Sequence, residues 1–173
     1  MMNSKKIFRW IKLVIILYCL PAIALYFLQD YFILHPEKVD AGYKYQFNSP
    51  YKELFIDYDK NTKINIIQFP PADTSMKKGV VLYFHGNKKN VNRYQQFAPY
   101  FTRTGYEVWM IDYPGFGKST GTFSEKLAYD LAMMEYTLAR KKFRPGNIVV
   151  YGKSLGTGIA AYLASVRNCR YLI

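Results

Sequence analysis

The sequence predicts an α/β domain, a mostly parallel sheet with helices on both faces, preceded by one N-terminal membrane-spanning helix. Three observations carry this. After residue 50, short apolar runs alternate with stretches of helical periodicity, the pattern of strand–helix–strand units. The run Gly79–Phe84 (GVVLYF) is apolar throughout, as a strand covered on both faces must be. Residues 13–28 (LVIILYCLPAIALYFL) carry no charge and follow Lys5, Lys6, Arg9 and Lys12.

The N-terminal segment comes first. Counted from Ile7, with Arg9 and Lys12 snorkelling, it reaches the roughly 20 residues that cross a bilayer core. Pro21 is compatible with such a helix if its freed carbonyl is satisfied locally. The alternative is a cleaved signal peptide, since Ala22-Ile23-Ala24 matches the small-x-small cleavage pattern. The segment stays apolar through Leu25, Tyr26, Phe27 and Leu28, which favours an uncleaved anchor over residues 1–28. The positive charges ahead of it predict a cytoplasmic N-terminus and a domain on the non-cytoplasmic side. Residues 29–50 read as a juxtamembrane connector with Tyr31, Phe32, Tyr43, Tyr45 and Phe47, aromatics expected near the headgroups. Residues 51–173 read as the α/β domain.

Within that domain, Leu54-Phe55-Ile56 and residues 64–69 form a β-pair around a turn at 58–61, closed by Pro70-Pro71. After Gly79–Phe84, the spacing of Tyr94, Phe97, Ala98 and Phe101 predicts a helix that Gly105 stops. Residues 108–111 form the next strand, ending in Asp112 and the Gly-rich turn Tyr113-Pro114-Gly115-Phe116-Gly117. Ser124 caps a helix whose apolar face is Leu127, Leu131, Met134 and Leu138. Residues 148–151 are a strand, and the following helix carries Ile159, Tyr162, Leu163 and Val166. A further strand begins at Tyr171, which leaves the strand from Ile148 at or near an exposed edge.

Composition narrows the function. The 173 residues are half hydrophobic and carry a formal net charge of +12, a globular rather than a disordered balance. Four of the positive charges precede the anchor. Others, in runs such as Lys77-Lys78, Lys88-Lys89 and residues 140–142, read as solvated loop and helix ends, also compatible with an anionic membrane surface. A nucleic-acid partner is not expected. Cys19 and Cys169 are not placed to meet, so neither a disulfide nor a metal site is expected. Two Gly-Lys-Ser runs lack the spacing of a phosphate-binding loop. Gly156-Thr157-Gly158-Ile159-Ala160-Ala161 mimics a dinucleotide fingerprint, but Gly158 falls inside the helix, where small residues are expected to serve close packing.

The chemistry lies in Gly152-Lys153-Ser154-Leu155-Gly156, a Gly-x-Ser-x-Gly motif between an apolar strand and an apolar helix, the context of a nucleophile elbow. A serine on so tight a turn needs small residues two before and two after it, and Gly152 and Gly156 supply them. Such a turn lifts the Ser154 hydroxyl above the carboxyl ends of the strands. The Leu155 amide, at a helix N-terminus, then faces the same point as an oxyanion donor. A second donor is expected from the loop after Gly79–Phe84, which reads His85-Gly86-Asn87. Gly86 permits close backbone approach, the Asn87 amide is the donor, and His85 shapes the loop rather than acting as base. Asp112 braces the Gly-rich turn, and Ser119 and Ser124 are turn and cap residues.

Taken in order, His-Gly-Asn (85–87), Asp-Tyr-Pro-Gly-Phe-Gly-Lys-Ser (112–119) and Gly-Lys-Ser-Leu-Gly (152–156) resemble the α/β-hydrolase superfamily. The sequence is similar in particular to the membrane-anchored serine hydrolase branch, the α/β-hydrolase domain-containing type. There an N-terminal helix precedes an aromatic-Pro connector, here Phe32-Ile33-Leu34-His35-Pro36. The resemblance covers residues 31–173. It implies the α/β-hydrolase fold and hydrolysis of an ester, thioester or amide bond through an acyl-enzyme on Ser154. The implied substrate is a small or lipid-like acyl compound, with no cofactor. It also implies a triad in the order Ser, Asp or Glu, His, with the last two beyond residue 173. The chain is therefore expected to be the N-terminal part of such a domain, its sheet incomplete at the C-terminus, and inactive alone. The alternative is a non-catalytic, membrane-anchored protein that keeps the fold for interaction.

Overall fold

The computed structural model describes residues 4–173, so the first three residues of the expected anchor lie outside them. The chain forms two units, one ending at His35 and one spanning Pro36–Ile173. The first is a single helix, α1 (Ser4–Ile33), which continues past Leu28 with Pro21 inside it. None of its residues is buried, and its apolar side chains project on every side. At 1.5 Å per residue such a helix is about 45 Å long, more than the hydrocarbon thickness of a bilayer. By length and composition it can cross a membrane.

The second unit is built on a six-stranded sheet. Strands β1 (Lys52–Asp57) and β2 (Lys63–Phe69) form an antiparallel hairpin. Its turn is held by the Asp59 carboxylate, which accepts the Asn61 and Thr62 amides at 2.8 Å. Strands β3 (Gly79–Phe84), β4 (Tyr106–Ile111), β5 (Ile148–Gly152) and β6 (Tyr171–Leu172) are mutually parallel, and the spatial order is β1-β2-β4-β3-β5-β6. Every residue of β3 is buried, as its apolar run requires of the strand between β4 and β5. The strand from Ile148 lies next to the edge of the sheet, as expected. Val149 and Val150 pair with Tyr171 and Leu172, so β6 takes the edge position.

Helices cover both faces. The segment after β3 is not one regular helix. It is broken into α2 (Val91–Tyr94), a 3₁₀ turn (Gln95–Phe97) and α3 (Ala98–Thr102). The cause is Pro99, which has no N–H to continue the ladder and sits instead in the first turn of α3. On the opposite face, α4 (Glu125–Arg140) packs against α5 (Leu155–Val166) and both lie on the sheet. The Ser124 hydroxyl caps α4 by accepting the Leu127 amide. The buried face of α4 is rotated from the expected one. Ala128, Leu131, Ala132, Glu135, Tyr136 and Ala139 face inward, while Leu127, Met134 and Leu138 flank them half-buried. Small alanines let the helix approach closely, and the larger side chains seal the margins. In α5 the inward residues are Gly156, Ile159, Ala160 and Leu163, whereas Tyr162 is exposed and stacks on Tyr129 with ring centroids 4.1 Å apart. Gly158 is exposed with open space around it, so close packing is not its role.

Residues 37–51 pack on this unit. Val39 donates to Gly117 and Gly117 donates to Glu37, both at 3.0 Å. Tyr45, expected among the headgroup aromatics, is buried and stacks on Phe47, which in turn lies 5.4 Å from Phe69 of β2.

Candidate active site

The strand order reverses at β3. The chain goes from β3 outward to β4, then crosses back to β5 on the other side, which opens a crevice at the carboxyl ends of β3 and β5. Phe84, the last residue of β3, pairs with Gly152, the last of β5. Two residues beyond the end of each strand stand Gly86 and Ser154. They are close enough that a Cβ on Gly86 would lie 3.4 Å from the Ser154 Cβ. The register thus places the two turns of the predicted site side by side.

Ser154 has φ 52° and ψ −118°, a conformation that a residue with a side chain rarely adopts. It is exposed, while its neighbours are not. The turn is closed by three hydrogen bonds. Lys153 N–H donates to Phe84, Gly156 N–H to Lys153 and Thr157 N–H to Ser154, at 3.0, 2.9 and 2.8 Å. Both flanking glycines are required by backbone approach. A Cβ on Gly156 would run into the Phe84 carbonyl, and one on Gly152 would lie 2.5 Å from the Gly156 carbonyl oxygen. Leu155 opens α5, so its N–H is among the helix-terminal amides without an intrahelical acceptor.

The facing loop is equally constrained. His85 is fully buried, with its ring against Tyr94, Tyr113 and Phe116 at centroid distances of 5.0, 4.4 and 5.5 Å. Its Nδ1 lies 2.7 Å from the Gly86 carbonyl oxygen. Its Nε2 lies 3.2 Å from Asp112 Oδ1, at an angle that does not form a hydrogen bond. The Tyr113 hydroxyl donates to the His85 carbonyl at 2.9 Å. Both ring nitrogens are thus directed into the loop and its support. Asn87 follows Gly86, half-buried.

Asp112 is buried at the end of β4, where Oδ1 accepts the Val91 amide at 2.9 Å and Oδ2 accepts the Tyr45 hydroxyl at 3.3 Å. Its backbone carbonyl takes the Ser119 hydroxyl at 2.7 Å. A Cβ on Gly117, at φ 51°, would collide with its carboxylate, which explains that glycine. Burial, and then Asp112 beside it, pushes the Tyr45 phenol well above its ordinary range, so Tyr45 is a proton donor here. No set of three or more His, Cys, Asp or Glu side chains that could hold a metal ion occurs among the described residues.

The structure therefore brings Ser154, Leu155, Gly152, Gly156, Gly86, Asn87 and His85 to one end of the sheet. Sequence reasoning missed Tyr45, Val91, Tyr94 and Tyr113, which hold that arrangement from below. Tyr94 was legible only as an apolar helix position, and nothing local distinguishes Tyr45 from its aromatic neighbours.

Comparison with known proteins agrees with this geometry. The family model for serine aminopeptidase S33 (Hydrolase_4) matches residues 75–171, which include both turns. The chain belongs to this family of α/β hydrolases. Protein bem46 of Schizosaccharomyces pombe is 28% identical over 72% of this chain and 43% of its own. Lysophosphatidylserine lipase ABHD12 of Danio rerio is 34% identical over 49% of this chain and 22% of its own. The matched region thus spans less than half the length of these relatives. Among solved structures, the Pyrococcus furiosus esterase Pf2001 superimposes with a TM-score of 0.58 at 21% identity, covering 79% of this chain and 54% of that one. An α/β hydrolase of Vibrio vulnificus gives 0.57 at 23%, covering 70% and 44%. These structural likenesses show the α/β-hydrolase fold.

Proposed function

We propose that this α/β hydrolase is a membrane-anchored serine hydrolase that cleaves ester, thioester or amide bonds through an acyl-enzyme on Ser154. The observation that carries the reading is the strained, exposed Ser154 set beside Gly86 at the reversal of strand order. Strain at a residue with a side chain persists only where the surroundings impose it, and here Gly152, Gly156 and the Phe84 carbonyl do so. In this reading the Ser154 hydroxyl attacks the acyl carbonyl. The amides of Leu155 and Asn87 receive the developing oxyanion, and Gly86 leaves room for it. The substrate is a small or lipid-like acyl compound, which fits a helix that can hold the domain at a membrane. The name of the ABHD12 relative supports a lipid ester.

The general base is not His85, whose Nδ1 is turned to Gly86 and whose Nε2 is turned to Asp112. His85 is the one histidine of the globular unit. The described residues alone are thus expected to show no turnover, and the second reading is a non-catalytic interaction protein. A fluorophosphonate probe separates the two. In membranes from cells expressing the natural gene, the probe labels the protein and Ser154→Ala abolishes labelling. Undiminished labelling of the alanine variant removes Ser154 as nucleophile. No labelling of either form favours the non-catalytic reading.

A further inference from the structure

The strap of residues 37–51 reaches the candidate oxyanion loop through a continuous set of contacts. The Glu37 carbonyl accepts the Gly117 amide at 3.0 Å and the Asn90 side-chain amide at 2.9 Å. Further along the strap, the Tyr45 hydroxyl donates to Asp112 Oδ2, while Oδ1 holds the Val91 amide and faces His85 Nε2. The Tyr51 hydroxyl donates to the Tyr45 carbonyl at 2.9 Å, which fixes the strap behind Tyr45. The buried His85 ring is packed against Tyr94 and Tyr113, with centroids 5.0 and 4.4 Å away.

The last link is a matter of peptide geometry. A carbonyl oxygen can only accept, so His85 Nδ1 carries a proton and donates it to Gly86. The peptide between Gly86 and Asn87 is trans, since the described chain has no cis bond. In a planar trans peptide the N–H points opposite to the C=O. Holding the Gly86 carbonyl toward His85 therefore sets the direction of the Asn87 N–H.

We propose that Tyr45 is a positioning residue: through Asp112, whose Oδ1 holds the Val91 amide and abuts the His85 ring, it fixes the loop that aims the Asn87 N–H, which makes the strap after the N-terminal helix part of the oxyanion machinery. The inference rests on the reading of Ser154 as nucleophile and Asn87 as donor. Tyr45→Phe removes one hydroxyl and keeps the ring that stacks on Phe47 at 5.0 Å, so the fold is preserved. His85→Ala deletes the donor to Gly86. His85→Asn restores a donor, because Asn Nδ2 occupies the place of His Nδ1.

The test uses the protein from its natural gene, with p-nitrophenyl acetate as substrate. Losing an oxyanion donor outright costs about 10²–10³ in kcat, and misdirecting one costs part of that. Tyr45→Phe is expected to lower kcat about fivefold and His85→Ala about fiftyfold, with KM within about twofold, the mark of a contact made in the transition state. His85→Asn recovers about tenfold over His85→Ala. In the 173-residue chain, amide exchange of the 85–90 segment accelerates about fivefold in Tyr45→Phe, a readout independent of turnover. Unchanged kcat and unchanged exchange in Tyr45→Phe overturn the proposal, as does a loss confined to KM. If the histidine variants do not fold, Tyr45→Phe decides alone. Turnover that survives Ser154→Ala would instead defeat the underlying reading, and the exchange measurement would still decide whether Tyr45 governs the loop.

Discussion

Glu135 should make the protein less stable as the pH rises, and Glu135→Gln should remove that dependence. Glu135 lies on the inward stripe of α4, fully buried, and neither carboxyl oxygen has a hydrogen-bond partner among the described residues. Burial pushes its carboxyl well above the usual carboxylate range. The folded protein therefore keeps a proton that the unfolded chain releases above a pH of about 4.3. Because the folded state keeps this proton, the contribution of Glu135 to stability is greatest at low pH and falls as pH rises toward its folded pKa. The slope is about 1.4 kcal/mol per pH unit for one retained proton. Glutamine matches the protonated acid in shape and has nothing to release. The two proteins should be equally stable near about pH 4 and diverge above it, the variant being the more stable by a margin that grows at that slope. Urea denaturation of detergent-solubilised protein at about pH 5.5 and about pH 7.5 measures this. Parallel stability curves for the two proteins would show that Glu135 is ionised in the fold or has found a partner.

The turn glycines give a paired prediction. Gly156→Ala drives a Cβ against the Phe84 carbonyl and to 2.8 Å from the His85 carbonyl, so it should cost about 3 kcal/mol, whereas Gly158→Ala, in open space on a helix, should stabilise by about 0.5–1 kcal/mol, both read from thermal melts. Glu53→Gln leaves the buried Lys118 ammonium without its carboxylate, now at 2.8 Å and 3.0 Å, and should lower stability by about 2 kcal/mol in urea. The helix α1 should resist carbonate extraction, and a reporter fused after Ile173 should read out on the non-cytoplasmic side. A cytoplasmic readout reverses the proposed orientation.

Much of the fold was legible because its signals are local. The hairpin follows from two apolar runs around Asp59, and β3 from six consecutive residues that suit a doubly covered strand. What the periodicity could not supply was phase. On α4, leucines and methionines are the stronger apolar signal, yet the helix turns Ala128, Ala132 and Ala139 to the interior. Close approach rewards small side chains there, a preference set by the partner helix and sheet and invisible along one chain. Gly158 is the converse case. It has the composition of a packing residue and points to solvent, while Gly156, two positions earlier, meets the backbone.

The candidate site divides along the same line. The tight turn at Ser154 could be read because the glycines that permit it lie two residues away on either side, so cause and consequence share one stretch of sequence. Tyr45 could not, because it stands 67 residues from Asp112, and only the crossover from β3 to β4 brings Asp112 beside the His85 loop. The register of the sheet joins the two halves. Phe84 pairs with Gly152 in a parallel ladder, and each strand ends there. The residues two places beyond these ends lie side by side, a Cβ on the one being 3.4 Å from the Cβ of the other. Those residues are Gly86 and Ser154, the first able to let backbone approach and the second held in a strained turn. A shift of one residue in that pairing would set Asn87 or His85 against the serine. A one-residue slip would also turn every side chain of these strands to the opposite face of the sheet, where the packed core would have to be rebuilt, so the core of the sheet specifies the spacing of the site.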